Sequence, residues 1–495
     1  RQLKENLTES LSKGHISHCY LITGPEGSGK RTLARLLAQA ILCQGTDKPC
    51  GVCTPCRKIL DGNHPDYILV DDPEKKTVPV ELIRQARADM FIQPNESDHK
   101  IYLFPRAQDM GLPGQNFAAA LEESNPFTVR CRSACGGNAR FEAWRERRRR
   151  ANRAVLQPLY FDRSFNIAVA YELGVGCSGR CGFCCFDAPP LRENFRYTPE
   201  NRELWRGVLA FFRELLGDRA GAAALYWATD PFDNPDLEKF YRDFYELNQV
   251  WPPITTRWPL RDPERSRRFA GEGREHGQPG CRFSMTERGE LRRFFRAFSA
   301  EEAMDWSLVL NNPESLNRYS ASGRARQAEP QECQEDTTSC CLSGFLVNLC
   351  RRSVRLVSPC VPDEANPYGF HLWSEASFRD AAELERVLGG MQERFFPEGP
   401  EALPFLRLPP VWNLEISGGR AELTSRYLVR RFAVSPQEAA LLERLKRGLS
   451  RQEFDREFGG ELAFFGKTHG LLETLWKSGM LSEEEESWTG SISLW

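Results

Sequence analysis

The sequence predicts an α/β protein in three parts: a partial (β/α)6 barrel, a truncated α/β fragment with a phosphate-binding loop before it, and a winged-helix-like module after it. Three observations predict this. A glycine loop, GPEGSGK, stands between an apolar run and an amphipathic helix at 17–41. From residue 165 six strand-like runs alternate with helix-like runs, the rhythm of a parallel sheet closed or partly closed into a barrel. From residue 424 three short amphipathic helices follow one another. At 495 residues there is chain enough for two to four cores. The expected boundaries are 1–124 for the fragment, 125–164 for a junction and basic helix and 165–400 for the barrel. A linker at 401–423, the module at 424–483 and an acidic tail at 484–495 complete the chain.

The elements follow in order. Cys19–Thr23 is a strand, RTLARLLAQAIL a helix, and the strands Asp66–Val70 and Lys100–Phe104 bracket a helical VELIRQARADMF. FEAWRERRRRANRAVL is a basic helix. FNIAVAYEL opens the barrel, and a cysteine loop follows it. Thr198 then caps a helix with Pro199 at its first position and Leu204, Val208, Phe211, Phe212 and Leu215 on one face. ALYWAT, PITTRW, CRFSMT, WSLVLNN and SVRLVS supply the later strands, with helices between them. Ser435-Pro-Gln-Glu438 is a capping box before AALLERLKRGL.

Charge excludes little but says something. With 66 Lys+Arg against 68 Asp+Glu the formal net is -2, so no global field marks a general nucleic-acid or membrane binder. No apolar run approaches 18 residues and the opening RQLKENLTESLSKG has no apolar core, so neither a membrane span nor a secretory signal is expected and the protein is expected in the cytoplasm. The 17 cysteines then point to metal ligands or reactive thiols rather than a disulfide framework.

In the first part, Gly24, Gly27 and Gly29 allow a turn whose N–H groups face phosphates, and Lys30 reaches the terminal phosphates of a nucleotide. The position that should hold magnesium is Arg31, with Thr32 one place late, which argues against productive hydrolysis. Cys43, Cys50, Cys53 and Cys56 have the count and spacing of a tetrathiolate Zn2+ site; four free thiols is the plainer alternative. HCYLITGPEGSGKRTLARLLA, HPDYILV, KIYLFPRAQDMGLPGQN and LEES together resemble the delta-prime subunit of the bacterial clamp loader, an AAA+ family. The resemblance implies a fragment that serves assembly around primed DNA. It stops near Ser124, without an acidic Walker B residue around Phe104. Nucleic acid and clamp-loader subunits are therefore partners only if this fragment is functional, either as a fused remnant or as two reading frames joined.

In the second part, Cys177, Cys181 and Cys184 form a C-x3-C-x2-C loop directly after a strand, suited to three irons of a [4Fe–4S] cluster with one iron left open. A zinc site or buried thiols is the bland reading, and Cys185 has no evident role. The loop resembles the radical S-adenosylmethionine signature. FEAWRERRRR, YELGVGCSGRCGFC, LYWATDPFDNPDLEKF, RFSMTERGEL, NPESLNRYSASGRAR and CCLSGFLVNLCRRSVRLVSPC further resemble the proteusin-type epimerases that mature ribosomally made peptides.

The resemblance implies a [4Fe–4S] cluster and S-adenosyl-L-methionine as cofactors, inversion of L- to D-residues in a leader-bearing precursor, and an electron donor such as flavodoxin or ferredoxin. Thr229 and Asp230 are expected to grip the methionine ammonium. Arg282, Ser284 and Asn311 are expected at ribose and carboxylate distance; for each residue a capped strand end or loop hydrogen bond is the alternative, and Asp233 and Asn234 equally suit an Asx turn. Inversion needs a hydrogen donor on the far face. Cys360, read as the end of a barrel strand pointing to its mouth, and Cys341 are the rival thiols. Another radical peptide modification, and a clamp-loader-type subunit, remain the competing functions. The arginine run at Arg145, Arg147 to Arg150 and Arg153 reads as a solvated face or as a contact for an acidic leader peptide or nucleic acid. The tail resembles leader-recognition modules of peptide-maturing enzymes, with a plain packing domain as the alternative.

Overall fold

The structure is a computed structural model that describes residues 29–72, 93–106, 136–157, 167–277, 280–303, 305–312, 319–327, 336–459 and 462–483, with isolated residues between them. The strand Cys19–Thr23, Gly24, Gly27, most of the helix VELIRQARADMF, Cys131, Cys135 and the tail 484–495 lie outside the described residues. The chain divides into two compact units, Arg1–Asn125 with Phe295–Asp305, and Pro126–Phe294 with Trp306–Trp495.

In the first unit α1 (Lys30–Leu42) starts after Gly29, whose φ of 82° is the left-handed turn that glycine enters without penalty. α2 (Thr54–Leu60) follows, and β1 (Tyr67–Leu69) pairs in parallel with β2 (Ile101–Leu103), as the strand pattern predicts. Val70, Val78 and Ala86 form a small core beside them. Buried Asp66 accepts backbone N–H groups of Asn95, Glu96 and Ser97 at 2.6–3.0 Å, which fixes the turn into β2.

The second unit opens on α3 (Ala139–Asn152) and β3 (Ile167–Glu172), the first strand of the parallel set. A ribbon of β4 (Gly174–Val175) with β5 (Glu193–Asn194) closes the base of the cysteine loop. α4 (Pro199–Leu216) is capped by Thr198 Oγ1, which accepts from Asn201 N at 3.2 Å. Its buried face is Trp205, Val208, Leu209, Phe212 and Leu216, rotated from the expected stripe because Trp205 and Phe212 both pack edge-on against Tyr171 of β3. Burying each such ring contributes about 1.5–3 kcal/mol.

β6 (Ala223–Ala224), α5 (Leu237–Asn248), β7 (Ile254–Thr256), α6 (Pro263–Glu275), β8 (Cys281–Met285), α7 (Arg288–Ala297) and β9 (Trp306–Leu310) continue the alternation. β3 pairs in parallel with β6, while β7, β8 and β9 form a second parallel sheet. Short β10 (Tyr319–Ser320) and β11 (Cys333–Gln334) also run parallel.

The expected sixth barrel strand is corrected. β12 (Leu342–Asn348), a run not read as a strand in the sequence, lies parallel to β3 on its outer side. SVRLVS forms β13 (Ser353–Pro359), antiparallel to β12, with β14 (Phe370–Ser377) beyond it. The sheet order is therefore β14-β13-β12-β3-β6, mixed rather than parallel. The cause is local: Asn348 to Ser353 is too short for a crossover helix and allows only a hairpin.

α8 (Ala381–Phe395) packs back towards α4. After β15 (Phe405–Leu406), a meander of β16 (Asn413–Ser417), β17 (Arg420–Thr424) and β18 (Val429–Ala433) precedes α9 (Pro436–Arg447), β19 (Leu449–Ser450), α10 (Arg451–Phe458) and α11 (Leu462–Lys477). Two of these strands fall inside the stretch expected to be a linker. Ser435 and Ser450 each complete a capping box, with Glu438 and Glu453. Leu414, Leu423, Leu441, Leu445, Leu472 and Trp476 share one core.

The basic helix is corrected too. α3 is a solvated face only in part: Arg145, Arg147 and Arg148 are buried, while Arg149 is half-buried and Arg150 and Arg153 are exposed. Arg147 Nε reaches Glu483 at 2.8 Å and Arg148 Nη2 reaches the same carboxylate at 2.6 Å. The guanidiniums cover Trp476 and Trp373 at 4.0 and 4.9 Å. The helix joins the C-terminal module to β14.

Candidate functional site

Two cysteine sites have different geometry. In the first unit the sulfurs of Cys43, Cys50, Cys53 and Cys56 all lie within 4.8 Å of one another. Cys43 and Cys53 Sγ are 3.8 Å apart, the edge of a tetrahedron with metal–sulfur bonds of about 2.3 Å. Backbone N–H groups of Gly45 and Cys50 point at Cys43 Sγ at 3.3 and 3.4 Å, and Cys53 N–H at Cys50 Sγ at 3.3 Å, which suits sulfurs that carry negative charge. Gln39 of α1 donates to Cys56 O at 2.9 Å and binds the cysteine knuckle to the helix. These four residues fit a structural zinc ion. Of the residues expected to bind a nucleotide, Gly29 caps α1, Lys30 is its first residue and Thr32 is exposed within it; Gly24 and Gly27 are outside the described residues.

The second site is the loop that leaves β3. Gly176 turns it at a φ of 82°, and a Cβ there would stand 2.3 Å from Pro190 O. Cys177 N–H donates to Pro189 O at 2.8 Å, and Arg192 N–H to Val175 O at 2.8 Å. Ser178 is held by Asp233, whose carboxylate accepts its N–H at 2.8 Å and its hydroxyl. Gly179 N–H points at Cys177 Sγ at 3.3 Å, and a Cβ on Gly179 would meet the sulfurs of Cys177 and Cys181 at 3.3 Å each. The loop thus folds two sulfurs round one glycine, a cradle that any larger residue would crowd. Burial pushes Cys177 up to about 12 and Cys181 up to about 11, so these thiols stay protonated until a metal takes their protons. Arg180 and Asp187 sit at φ of 48° and 49°, each costing on the order of 1–2 kcal/mol for a residue with a Cβ. Surrounding contacts must hold that strain. The glycine cradle gathers the Cys177 and Cys181 sulfurs and Cys184 follows on the same loop, a donor set that suits an iron–sulfur cluster.

The other expected residues divide. Asp230, fully buried, accepts Thr256 Oγ1 and Arg257 N–H at 2.7 Å each and Phe232 N–H at 3.0 Å. It therefore ties the end of β6 to β7, in the manner of a capped strand end. Burial raises its carboxyl to about 6, against those donors. Thr229 Oγ1 donates to Glu172 Oε2 at 2.8 Å, and Ala228 N–H donates to Glu172 Oε1. Asn234 donates to Leu173 O and Phe195 O at 2.9 Å, again a structural tie.

On β8 the residues Cys281, Phe283 and Met285 are buried, Phe283 against Phe294 of α7. Arg282 and Ser284 take the opposite face, in register with Ser307 and Val309 of β9. Asn311 follows β9, its N–H bonded to Met285 O at 2.7 Å.

Both rival thiols lie away from the expected mouth. Because β13 runs antiparallel to β12, Cys360 lies level with the start of β12 and of β3, not at the mouth where the strands of the parallel set end. Cys341 stands at the same level, but it packs with Cys184 and Cys185 on one apolar cluster containing Ala170, Phe186 and Trp227. Burial raises the Cys341 thiol to about 11, with the charge of Arg282 opposing. Tyr226 feels both neighbours, its phenol raised to about 12 by burial first.

Sequence reasoning missed Glu172 and Arg324. Glu172, raised by burial to about 7, lines a pocket with Trp227, Asn348 and Arg355, and the Trp227 Nε1 is buried without a hydrogen-bond partner. Its signal was a carboxylate ending an otherwise apolar strand. Arg324 belongs to the block NRYSASGRAR and binds the cysteine loop directly.

Residues 1–123 match the DNA polymerase III, delta subunit family. Over 125 residues the chain is 34% identical to DNA polymerase III subunit delta' of Bacillus subtilis, covering 25% of this chain and 38% of that one. Over 281 residues it is 33% identical to the uncharacterized protein y4wI of Sinorhizobium fredii, covering 53% of each. The chain thus spans about half the length of one curated relative and well under half of the other. The crystal structure of BtrN in complex with AdoMet and 2-DOIA overlaps 38% of this chain and 71% of that one, at 12% identity and a TM-score of 0.25, too low to establish a shared fold. The N-terminal segment is delta-prime-like. Among the described residues no helix is long and apolar enough to cross a membrane.

Proposed function

We propose that the second unit is a radical S-adenosylmethionine enzyme that inverts L-residues of a ribosomally made precursor peptide. The observation that carries the reading is the closed three-cysteine loop after β3, with Cys341 packed on the same apolar cluster as Cys184. When bound, the cluster and S-adenosyl-L-methionine supply a radical able to abstract hydrogen from a peptide Cα. Cys177, Cys181 and Cys184 hold the cluster. Arg282 and Ser284, on the face of β8 away from the helices, bind polar groups of the cofactor; Thr229, tied to Glu172, and Asn311 hold the strand ends that frame it. Asp230 acts as a brace for β6 and β7.

Cys341 is the hydrogen donor: its S–H bond breaks as a new Cα–H bond forms on the face opposite the one that lost hydrogen. One electron from a flavodoxin or ferredoxin and one proton from solvent water then restore the thiol. Burial, which keeps the sulfur protonated, supports this role. The precursor's leader adds as a fourth strand on β18, whose residues Val429, Arg430 and Arg431 are exposed and whose described ladder is to β17 alone.

The test is anaerobic reconstitution with iron and sulfide, followed by turnover of a candidate precursor in deuterated water. Each inverted residue gains one mass unit at Cα. Unchanged chirality with no deuterium, despite cofactor cleavage, overturns the epimerase reading and favours another radical peptide modification. The first unit has a reading of its own, carried by the match of residues 1–123: a zinc-stabilised nucleotide-fold segment that associates with clamp-loader subunits or DNA.

A further inference from the structure

The cysteine loop is gripped by a segment about 140 residues later in the chain. Gly323 has a φ of 50°, and a Cβ on it would stand 2.3 Å from Cys185 O, so glycine alone permits this approach. The next two N–H groups, of Arg324 and Ala325, both donate to Cys184 O, at 2.8 and 3.2 Å. The Arg324 guanidinium then spreads across the rest of the loop: Nη1 donates to Cys181 O at 3.0 Å, Nη2 to Ala188 O at 2.7 Å and Nε to Asp187 Oδ1 at 3.0 Å. The segment is itself anchored, since Gly323 N–H donates to Pro367 O at 2.9 Å and Arg326 Nη2 to Pro367 O at 3.1 Å.

We propose that the Gly323–Ala325 segment is a clamp on the cluster loop, with Arg324 as a positioning residue that sets how readily the cluster is reduced. This rests on the cluster reading above. Two of the three cysteine carbonyls are held by one short segment, and in a trans peptide the following N–H points the opposite way, so the clamp also orients the Gly182 and Cys185 amides. Reduction adds one negative charge to the cluster, and net charge and hydrogen bonding round the cysteines govern that step. The guanidinium brings a positive charge and its fork engages three loop residues at once, which a lysine cannot match. Asp187, on the same guanidinium, offsets part of its charge.

The measurements are iron and sulfide content, the rate of iron loss to a chelator, and a spectroscopic redox titration of the reconstituted full chain. Arg324→Gln should retain iron, lose it faster, and show about a tenfold lower reduced-to-oxidised ratio at a fixed poise, about 59 mV for one electron. Arg324→Lys should keep the ratio near that of the parent while losing iron faster, because charge remains and the fork is gone. Asp187→Asn should move the ratio the other way, and it keeps the test available if Arg324→Gln fails to fold. Equal ratios and equal iron-loss rates in parent, Arg324→Gln and Asp187→Asn overturn the clamp. A parent chain that binds no iron–sulfur cluster overturns the cluster reading itself, a separate outcome visible before any variant is made.

Discussion

Glu483→Gln should destabilise the second unit strongly. Glu483 is 4% exposed in its side chain and is shared by Arg147 and Arg148, at 4% and 8%. Burial alone would raise its carboxyl, but the Arg148 charge and the hydrogen bonds and charge of Arg147 hold it below the usual glutamate range. Removing one partner of a buried ion pair leaves charge uncompensated and costs about 3–5 kcal/mol. Here two guanidiniums lose their counter-ion together, so the upper half of that range is expected.

The sign with pH follows from the lowered carboxyl. The stabilisation is present above the unfolded-state pKa of about 4.3 and is lost as pH falls through the lower folded value. Trp476 and Trp373 lie beneath the two guanidiniums and report opening of this junction by fluorescence during urea unfolding. A loss under about 1 kcal/mol, or an acid limb unchanged by the substitution, would refute the reasoning. Replacing Arg147, Arg148 and Glu483 together by Met or Leu should recover much of the loss, since an apolar trio no longer buries charge.

Other outcomes follow from the same structure. Cys53→Ser should remove about one zinc per chain by elemental analysis and unfold the first unit's knuckle, while the iron content of the second unit stays constant. Cys341→Ala should abolish deuterium incorporation at Cα while cofactor cleavage continues; Cys360→Ala should leave incorporation within about twofold of the parent, and the reverse pattern would reassign the donor. Glu172 rises from the ordinary glutamate range to about 7 on folding, so its contribution is complete at low pH and is lost as pH rises from about 4.5 to about 7. Compared with Glu172→Gln, the parent should lose up to about 3 kcal/mol more over that window, read by urea unfolding at pH 5 and pH 8.

Much of the fold is legible in residue order. Thr198 and Ser435 cap helices where expected, and GVGCSGRCGFC follows a strand as expected. Local signals suffice for such features, because a cap or a glycine turn is decided within a few residues. SVRLVSPC misleads for the opposite reason. Its apolar run suits a buried strand of either direction, and only pairing with β12 makes it antiparallel and carries Cys360 away from the strand ends. The arginine run misleads likewise, since nothing near it announces Glu483 more than 300 residues later.

The sequence by itself determined the chemistry available: four zinc-spaced thiols, a three-cysteine loop after a strand, an incomplete phosphate loop and an α/β alternation. Those depend on residue type and spacing within short windows. The tertiary structure decided which groups meet. It packs Cys341 on the same apolar cluster as Cys184 and Cys185, turns Asp230 into a brace between β6 and β7, and brings Arg324 onto Cys181 and Ala188. Each of these is a contact between residues far apart in the chain, fixed by strand order, direction and burial.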